Sequence, residues 1–505
     1  MGRSFRCAFV AVLVVSAVSP AVAKVTPHDL FSDNMVLQRN AEVAVWGAAD
    51  PGEAVTVTLG GQVVRDTADT EGRWKVTLRT AEAGGPVELI IAGTNTITLK
   101  NVMIGEVWLC SGQSNMNWRL AAAKDAKAEI EAANHPNIRL FTVRSKAAPE
   151  PYAKAPGKWL VCDPKSARWF SAVGYFFGRD LHAAIKAPVG LIHSSWGGTA
   201  AELWTSREGL ESDESLKPLL KVKAERLARY EAARAAYPEK VAAWEKAVAE
   251  AKAAGKKPPR KPRIPLSGLY PTALYNGMIH PLIQFRIAGA IWYQGESNAR
   301  GVAGAKQYAT LFPTMICDWR AKWGAEFPFL FVQLANYRAR RPQPGDSAWA
   351  RLREAQLKTL AVPRTGMAVI IDIGETGNIH PKNKQDVGKR LALAARAVAY
   401  GEKDLVCSGP IYESMKVEDG AIRLTFTHVG GGLVAKGDHL VGFAVAGEDR
   451  KFVWADARID GDTVVVSSPS VAKPVAVRYA WADNPDCNLY NQEDLPASPF
   501  RTDDW

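Results

Sequence analysis

The sequence has few cysteines and no compact metal-binding motif. Only six of its 505 residues are cysteine, and no two of them form a Cys-x-x-Cys pair. Its eight histidines include no His-Glu-x-x-His segment. These absences argue against a disulfide framework, a structural zinc site and a metal-dependent hydrolase. We therefore expect neither a metal nor a cofactor.

A long apolar run occurs only near the N-terminus. It follows Arg3 and Arg6, and small residues at 21–23 come after it. This pattern is typical of a secretory signal peptide, 1–23, cleaved after Ala23. Cleavage would remove Cys7 and leave five cysteines, so at least one stays unpaired. We expect a secreted, periplasmic protein with no membrane-spanning segment.

Positive charge is concentrated rather than spread along the chain. The formal net charge is +11, but the segment 251–263 contains six lysines and arginines and no acidic residue. A solvated linker accounts for such a run better than a phosphate-binding face does. We expect no nucleic-acid partner.

The pattern of strands and helices changes along the chain. Short alternating or β-branched runs between turn residues predict an N-terminal β-sandwich over 24–102. Apolar strands then alternate with helical segments over 103–404, which predicts a parallel α/β sheet. Ala, Glu, Lys and Arg at helical spacing predict a helical insertion at about 208–265, interpreted as a lid or spacer. A C-terminal β-rich domain is predicted over 405–505.

Polar residues follow three of the predicted strands. Ser114 comes in a Gly-Gln-Ser-Asn turn, Gly197 and Gly198 follow the next strand, and 294–298 follow a third. His380 lies on a later loop before a long helix. Because sites in open α/β sheets form beyond the carboxyl ends of strands, these residues are candidates for one site.

The residue types suit acyl transfer. A serine hydroxyl needs a general base to act as a nucleophile at neutral pH, and histidine is well matched to that task. The sequence predicts Ser114 as nucleophile and His380 as base. The backbone N–H groups of Ser114 and Gly198, with the side-chain amide of Gln294 or Asn298, are the predicted oxyanion hole. Gly197 is the alternative glycine.

These motifs together resemble the sialate O-acetylesterase family of SGNH-type (GDSL) hydrolases, over nearly the whole chain after the leader. The segments that carry the resemblance are "GEVWLCSGQSNM", "GGTAAELW", "YNGMIHPL", "WYQGESNA", "LREAQ", "IHPKNKQDVGKRLA" and "NPDCNLYNQEDLPASPFRTD". The resemblance implies a flavodoxin-like three-layer α/β/α esterase domain with flanking β-regions. It also implies removal of acetyl groups from carbohydrate hydroxyls, without metal or cofactor, and it places the same roles on Ser114, His380, Gly198 and Gln294.

The acid that would orient His380 is the point of departure from the family pattern. Many SGNH hydrolases have Asp three residues before the histidine, where this chain has Gly377. Glu296 is the favoured replacement, as related carbohydrate acetylesterases suggest, and Asp372 is the alternative, with Glu375 also available. A Ser–His dyad oriented by a backbone carbonyl is a further possibility.

Candidate substrate-binding residues are Asn298, Trp196 and Arg353. For Arg353, a structural role on a helix competes with binding of a sugar carboxylate. Trp118 and Trp292 also lie near the site in sequence, whereas most of the sixteen tryptophans are expected in the core. His193 and His280 are interpreted as packed histidines.

The sequence therefore predicts a secreted carbohydrate O-acetylesterase acting on sialic acid or a related sugar. Two alternatives remain open: an acetylesterase for acetylxylan or another plant polysaccharide, and a non-catalytic carbohydrate-binding protein. The sugar and the oligomeric state are not predicted.

Overall fold

The structure is a computed structural model that describes residues 24–262 and 269–505. The predicted signal peptide, 1–23, and the end of the predicted insertion lie outside the described residues.

The N-terminal part of the chain forms antiparallel β-sheets. Strands β1, β3 and β6 form one sheet, while β4, β5, β7 and the first half of β8 pair in another. In β6 every second side chain is buried, as expected for a strand with one face on the core. The strand bounds are β1 Thr26–Pro27, β2 Val36–Gln38, β3 Glu42–Ala48, β4 Ala54–Leu59, β5 Gln62–Thr67, β6 Arg73–Arg79, β7 Gly84–Ala92 and β8 Thr96–Gly112.

Strand β8 connects the N-terminal sheets with the central sheet. Its first half pairs with β7, and Glu106–Gly112 pair with two strands of the central sheet. The predicted boundary between 102 and 103 therefore falls inside one continuous strand.

The central sheet runs in the order β10-β9-β11-β8-β12-β13-β14. Its strands are parallel except for β10, which pairs antiparallel with β9. Strands β11, β12, β13 and β14 are almost entirely buried, as is usual for a parallel sheet covered on both faces. The bounds are β9 His135–Thr142, β10 Trp159–Cys162, β11 Val189–Ser195, β12 Gly289–Tyr293, β13 Phe329–Gln333 and β14 Thr365–Val369.

Helices cover the central sheet on both faces. On one face α4 and α10 pack together, and Phe177 of α4 contacts Trp108 of β8. On the other face, Phe312 and Trp319 of α8 contact Trp292 of β12. The bounds are α1 Ser114–Asn117, α2 Ala126–Glu131, α3 Pro164–Ala167, α4 Ala172–Ile185, α5 Arg207–Glu211, α6 Pro218–Ala235, α7 Tyr237–Ala253, α8 Val302–Trp323, α9 Ala348–Lys358 and α10 Gln385–Val398.

The inserted segment contains α6 and α7. Ala236 separates the two helices, and neither helix has a buried residue. Pro238 lies in the first turn of α7, where its missing N–H costs no helical hydrogen bond. The chain after α7 returns along that helix, since Trp244 donates a hydrogen bond to the carbonyl of Pro259.

The C-terminal region is β-rich and has its own apolar core, which includes Leu424, Phe443, Val466 and Phe500. Its strands are β15 Ile411–Glu418, β16 Ala421–Thr427, β17 Leu433–Ala435, β18 Phe443–Ala446, β19 Val453–Trp454, β20 Asp456–Asp460, β21 Thr463–Ser467, β22 Ala476–Tyr479, β23 Leu489–Asn491 and β24 Phe500–Arg501.

None of the helices within 24–262 and 269–505 is both long enough and apolar enough to span a bilayer. The five cysteines in these residues are all unpaired in the structure. The sequence had predicted that at least one thiol stays free.

Candidate active site

The predicted site residues meet at one edge of the central sheet. Strand β8 lies between β11 and β12, and its last residue, Gly112, is in register with Ser195 of β11 and Tyr293 of β12. The chain segments that follow these three strands therefore start side by side. This arrangement brings together Ser114, the glycine pair and the 294–298 turn, which are far apart in sequence.

Ser114 begins a short helix immediately after β8. Gly112 has φ +134°, and a Cβ there would lie 2.2 Å from the carbonyl oxygen of Tyr293. Only glycine allows the strand to bend this close to β12. The N–H of Gln113 then donates to that same Tyr293 carbonyl at 2.9 Å, which fixes the turn.

His380 lies opposite this serine. Its Nε2 is 2.9 Å from Ser114 Oγ. The hydroxyl donates to Nε2 when the imidazole carries its proton on Nδ1. The structure therefore brings the predicted nucleophile and base into direct hydrogen-bond contact.

Packing and hydrogen bonds hold the His380 loop. The indole of Trp118 stacks on the imidazole, with ring centroids 5.2 Å apart and planes 19° apart. The side chain of Asn378 accepts from the His380 N–H at 2.9 Å and donates to the His380 carbonyl at 2.8 Å. Burial, and after it the positive charge of Lys384, lowers the pKa of His380. The imidazole is therefore neutral at neutral pH and available to accept a proton.

The carboxylates predicted to orient His380 bind other groups. Asp372 accepts two hydrogen bonds from Arg390, at 2.6 and 2.7 Å. Glu296 accepts from the side chain of Asn115 at 2.5 Å. Over 24–262 and 269–505, no carboxylate hydrogen-bonds to the imidazole. The prediction of Glu296 or Asp372 as direct partner of His380 differs from this geometry, which has a Ser–His pair with Trp118 stacked on the base.

Gly197, rather than Gly198, lies directly against the nucleophile. A Cβ on Gly197 would be 3.3 Å from the Ser114 Cβ, whereas the space beside Gly198 is open. Gly198 has φ +74°, which favours glycine for a different reason, its left-handed backbone. The oxyanion-hole roles of the Ser114 and Gly198 N–H groups stay predictions.

Gln294 is not available as an oxyanion donor in this structure. It is fully buried, and its Nε2 donates to the Thr199 carbonyl at 3.1 Å and to Asn298 Oδ1 at 2.7 Å. Its Oε1 accepts from the Tyr308 hydroxyl. Both amide hydrogens are thus used in the core, and the prediction for Gln294 needs correction.

Asn298 is the alternative amide, and it keeps a donor. Its Nδ2 donates to Glu202 at 3.0 Å, and its Oδ1 accepts from the Ala201 N–H. The second hydrogen on Nδ2 has no partner among the residues that the structure describes. Asn298 therefore fits the donor role better than Gln294 does.

Arg353 is a structural residue. Its side chain is fully buried and donates to four backbone carbonyls, those of Leu334, Ala335, Ala482 and Asp483, at 2.7 to 3.0 Å. The predicted substrate-binding role is not compatible with this burial, because no sugar can reach the guanidinium. Instead Arg353 connects α9 and β13 with the C-terminal region.

The tryptophans near the site differ in exposure. Trp292 is fully buried among aromatic side chains of the core and cannot contact a substrate. Trp196 and Trp118 are half-buried beside Gly197 and His380, respectively. Trp196 keeps its predicted position at the site.

Two residues important to this geometry were not predicted from the sequence: Asn115 and Lys384. Asn115 donates to Glu296 and to the carbonyl of Ile379, and Lys384 donates to Asn115. Because Asn115 directly follows Ser114, its place in the site could have been predicted from the sequence. Lys384 lies in a polar segment, and nothing in that segment predicts that its side chain is buried.

His193 and His280, predicted to be packed histidines, both have hydrogen-bond partners within the protein. His193 is buried, pairs with the Ser195 hydroxyl at 2.6 Å, and has its pKa lowered to about 4 by burial. His280 is close to the Tyr152 carbonyl, at 3.1 Å. Within the described ranges no group of three His, Cys, Asp or Glu side chains could hold a metal ion.

The sequence matches the family model described as carbohydrate esterase, sialic acid-specific acetylesterase, at residues 104–254 and 265–397, more than half of the chain. The chain belongs to this family. It is a carboxylic ester hydrolase, so the alternative of a non-catalytic binding protein is not supported.

Relatives support this membership over nearly the full chain. The sialate O-acetylesterase of Mus musculus is 32% identical, with 97% of each chain covered. The human sialate O-acetylesterase is 31% identical, with 93% of this chain and 91% of the human chain covered. A crystal structure of a carbohydrate acetylesterase from Xanthomonas citri is 42% identical, has a TM-score of 0.82, and covers 95% of this chain and 100% of its own.

Proposed function

We propose that this esterase removes O-acetyl groups from sugars through an acetyl-enzyme formed on Ser114. The observation that carries the proposal is the 2.9 Å contact between the Ser114 hydroxyl and the His380 imidazole at the ends of three adjacent strands. A serine that forms an acyl-enzyme needs a base in direct contact with its hydroxyl, and His380 supplies that base. The family membership supports a carbohydrate as the acyl donor.

In the proposed reaction, Ser114 Oγ attacks the acetyl carbonyl while His380 Nε2 takes the hydroxyl proton. The tetrahedral oxyanion lies against the N–H groups of Ser114 and Gly198 and the free amide hydrogen of Asn298. When the C–O bond breaks, the sugar alkoxide leaves with the proton held by His380. Water then attacks the acetyl-serine as His380 removes its proton. The bond between the acetyl carbon and Ser114 Oγ breaks as His380 returns the proton to that oxygen, and acetate is released.

O-acetylated sialic acid is the proposed substrate, because the mouse and human relatives are named for that activity. A plant polysaccharide such as acetylxylan is the second candidate, because the cavity lined by Trp454 and Asn484 favours an extended glycan. Comparing the rates of acetate release from O-acetylated sialic acid and from acetylxylan, with Ser114→Ala as control, separates the two candidates. Release from neither by the wild-type enzyme would contradict the proposal.

We further propose that the parallel sheet with helices on both faces is an SGNH-type, flavodoxin-like α/β/α domain flanked by an N-terminal β-sandwich and a C-terminal β-domain. The proposed location is the periplasm, supported by the sequence pattern of residues 1–23. N-terminal sequencing of the protein from the native host should start at Lys24. A start at Met1 would contradict export by cleavage.

A further inference from the structure

Lys384 is a fully buried lysine beside the nucleophile. It precedes α10, and its Nζ donates to Asn115 Oδ1 at 2.6 Å. The aromatic rings of Tyr293 and Trp118 lie 5.1 and 6.0 Å from the ammonium. Burying a charged lysine costs free energy of folding unless the ammonium is paired. Neither solubility nor apolar packing explains why a lysine lies here.

Asn115 joins Lys384 to both halves of the catalytic pair. The Asn115 side chain donates to the carbonyl of Ile379, the residue before His380, at 3.0 Å. It also donates to Glu296 Oε1 at 2.5 Å. Since Asn115 follows Ser114 directly, its amide ties the serine turn to the histidine loop. Lys384 fixes the orientation of that amide, because only the amide oxygen can accept from an ammonium.

The titratable groups around Lys384 come from two segments of the chain, the turn after β12 and the loop that carries His380. Glu296 follows β12, Glu375 lies in the loop before His380, and His380 itself is the third titratable group. Burial lowers the pKa of Lys384 to about 7, against the opposing effect of the two carboxylates. Burial raises the pKa of Glu296, whose Oε2 has no partner among the described residues.

We propose that Lys384 is a positioning residue, which acts through Asn115 to hold Ser114 opposite His380 and which keeps a positive charge next to Trp118, the ring stacked on the imidazole. The inference rests on the proposed Ser–His mechanism. The positive charge disfavours protonation of His380, so the base stays free at lower pH than it otherwise would.

The test compares four variants by hydrolysis of 4-nitrophenyl acetate across pH. Lys384→Met should lower kcat at least tenfold with KM changed less than twofold. It should also move the acidic limb of kcat/KM to higher pH, because loss of the cation raises the pKa of His380. Lys384→Arg keeps the charge and should keep the acidic limb at its wild-type pH. Asn115→Ala should lower kcat without moving that limb.

Lys389→Met is the matched control, because Lys389 lies on α10 and is exposed. Its kcat, KM and acidic limb should equal those of the wild type.

Wild-type kcat and an unmoved acidic limb in Lys384→Met would overturn the inference while leaving the esterase mechanism intact. If Lys384→Met fails to fold, an acidic limb displaced to higher pH in Lys384→Arg would overturn it instead. A wild-type enzyme without hydrolysis would contradict the function itself.

A second, independent observation concerns a cavity of about 480 Å³ between the loop before α9 and the C-terminal strands. Its lining includes Arg340, Trp454, Asp456, Asn484 and Asp486. The Trp454 side chain is 46% exposed, yet its indole N–H donates to the Pro342 carbonyl at 2.9 Å. An exposed indole held in one orientation, with polar groups around it, offers both a flat apolar face and hydrogen-bonding partners.

This cavity is connected to the catalytic loop. The side chain of Asn484 donates to Thr376 Oγ1 at 3.2 Å and to the carbonyl of Arg338 at 2.6 Å. Thr376 is four residues before His380, and four residues of chain span at most about 14 Å. One wall of the cavity, at Asn484, therefore contacts the loop that carries His380.

We infer that the cavity binds sugar residues of an extended glycan next to the acetylated one, with Trp454 as stacking face. This deepens the proposed function, on which it rests. Trp454→Ala should lower kcat/KM at least fivefold for acetylated polysaccharide and leave 4-nitrophenyl acetate hydrolysis unchanged. Trp244→Ala, on the inserted helix α7, is the control and should change neither.

Equal effects of Trp454→Ala on both substrates, or none on the polysaccharide, would overturn the inference. So would a wild-type enzyme that releases acetate from sialic acid but from no polysaccharide. That last result would leave the esterase function standing.

Discussion

Replacing Arg353 by methionine should destabilise the protein without removing a substrate contact. The guanidinium donates four hydrogen bonds to backbone carbonyls on both sides of the contact between the sheet and the C-terminal region. Methionine is of similar length but donates none. Each carbonyl left without a donor costs about 1 kcal/mol, which gives about 4 kcal/mol for the four.

Part of this loss is offset. Burial removes water from the charged guanidinium, which disfavours the charged form and lowers the pKa of Arg353 to about 9. Methionine removes that cost, so we expect a net loss in unfolding free energy that is smaller than about 4 kcal/mol. Lysine has three donors on one nitrogen and cannot reach carbonyls on both sides, so Arg353→Lys should be destabilised as well.

Urea denaturation followed by tryptophan fluorescence measures this change, together with KM for an acetylated sugar. Lys358→Met is the matched control, because Lys358 is on the same helix and its side chain, although paired with Glu354, is exposed to solvent. The control should shift stability by less than about 1 kcal/mol. An Arg353→Met enzyme with wild-type stability and a raised KM would refute the structural role and restore the substrate-binding one.

Three further predictions concern the site. Because the pKa of His380 is lowered by burial and by Lys384, hydrolysis of 4-nitrophenyl acetate should persist at pH 6.5 and fall only below it; loss of activity already above pH 7 would contradict this. Gly197→Ala places a methyl 3.3 Å from the Ser114 Cβ and should lower kcat about tenfold, which corresponds to a barrier higher by about 1.4 kcal/mol. Gly301→Ala is the control, because its methyl meets open space and kcat should not change. Equal kcat values for the two variants would argue against close packing at Gly197. Gln294→Ala should lower stability in urea by about 2 kcal/mol because buried partners lose their bonds; a stable enzyme that lost kcat alone would restore the oxyanion role.

The pairing of Ser114 with His380 could be predicted because both lie at strand ends or loops next to glycine and proline signals. Parallel strands place their carboxyl ends together, so a serine after one strand and a glycine pair after the next are brought close by topology alone. The α/β core and the β-rich ends were predictable for the same reason, since apolar strands alternating with helices have few stable arrangements.

The partners of buried polar groups could not be predicted. Gln294 was predicted to be an oxyanion donor, yet its side chain donates to the Thr199 carbonyl, 95 residues away, and accepts from the Tyr308 hydroxyl. For Arg353 a structural role on a helix was one of two predictions, but its carbonyl partners at 482 and 483 lie about 130 residues away and could not be predicted. Hydrogen bonds of this kind are set by tertiary packing and leave no periodic trace in the sequence.

The burial of the charged side chain of Lys384 could not be predicted either. It lies in a segment with Lys382 and Asn383, where a solvated lysine is the ordinary expectation, and the structure buries it completely. The assignment of Glu296 to the imidazole failed for a related reason. The carboxylate is close to the site, but Asn115 is its hydrogen-bond partner.

The central claim is that the serine at 114 is activated by the histidine at 380. Labelling with a fluorophosphonate probe, followed by peptide mass mapping, tests it directly. A single adduct on Ser114, lost in Ser114→Ala and strongly slowed in His380→Ala, is the expected result. An adduct on another serine, or undiminished labelling in His380→Ala, would contradict the account.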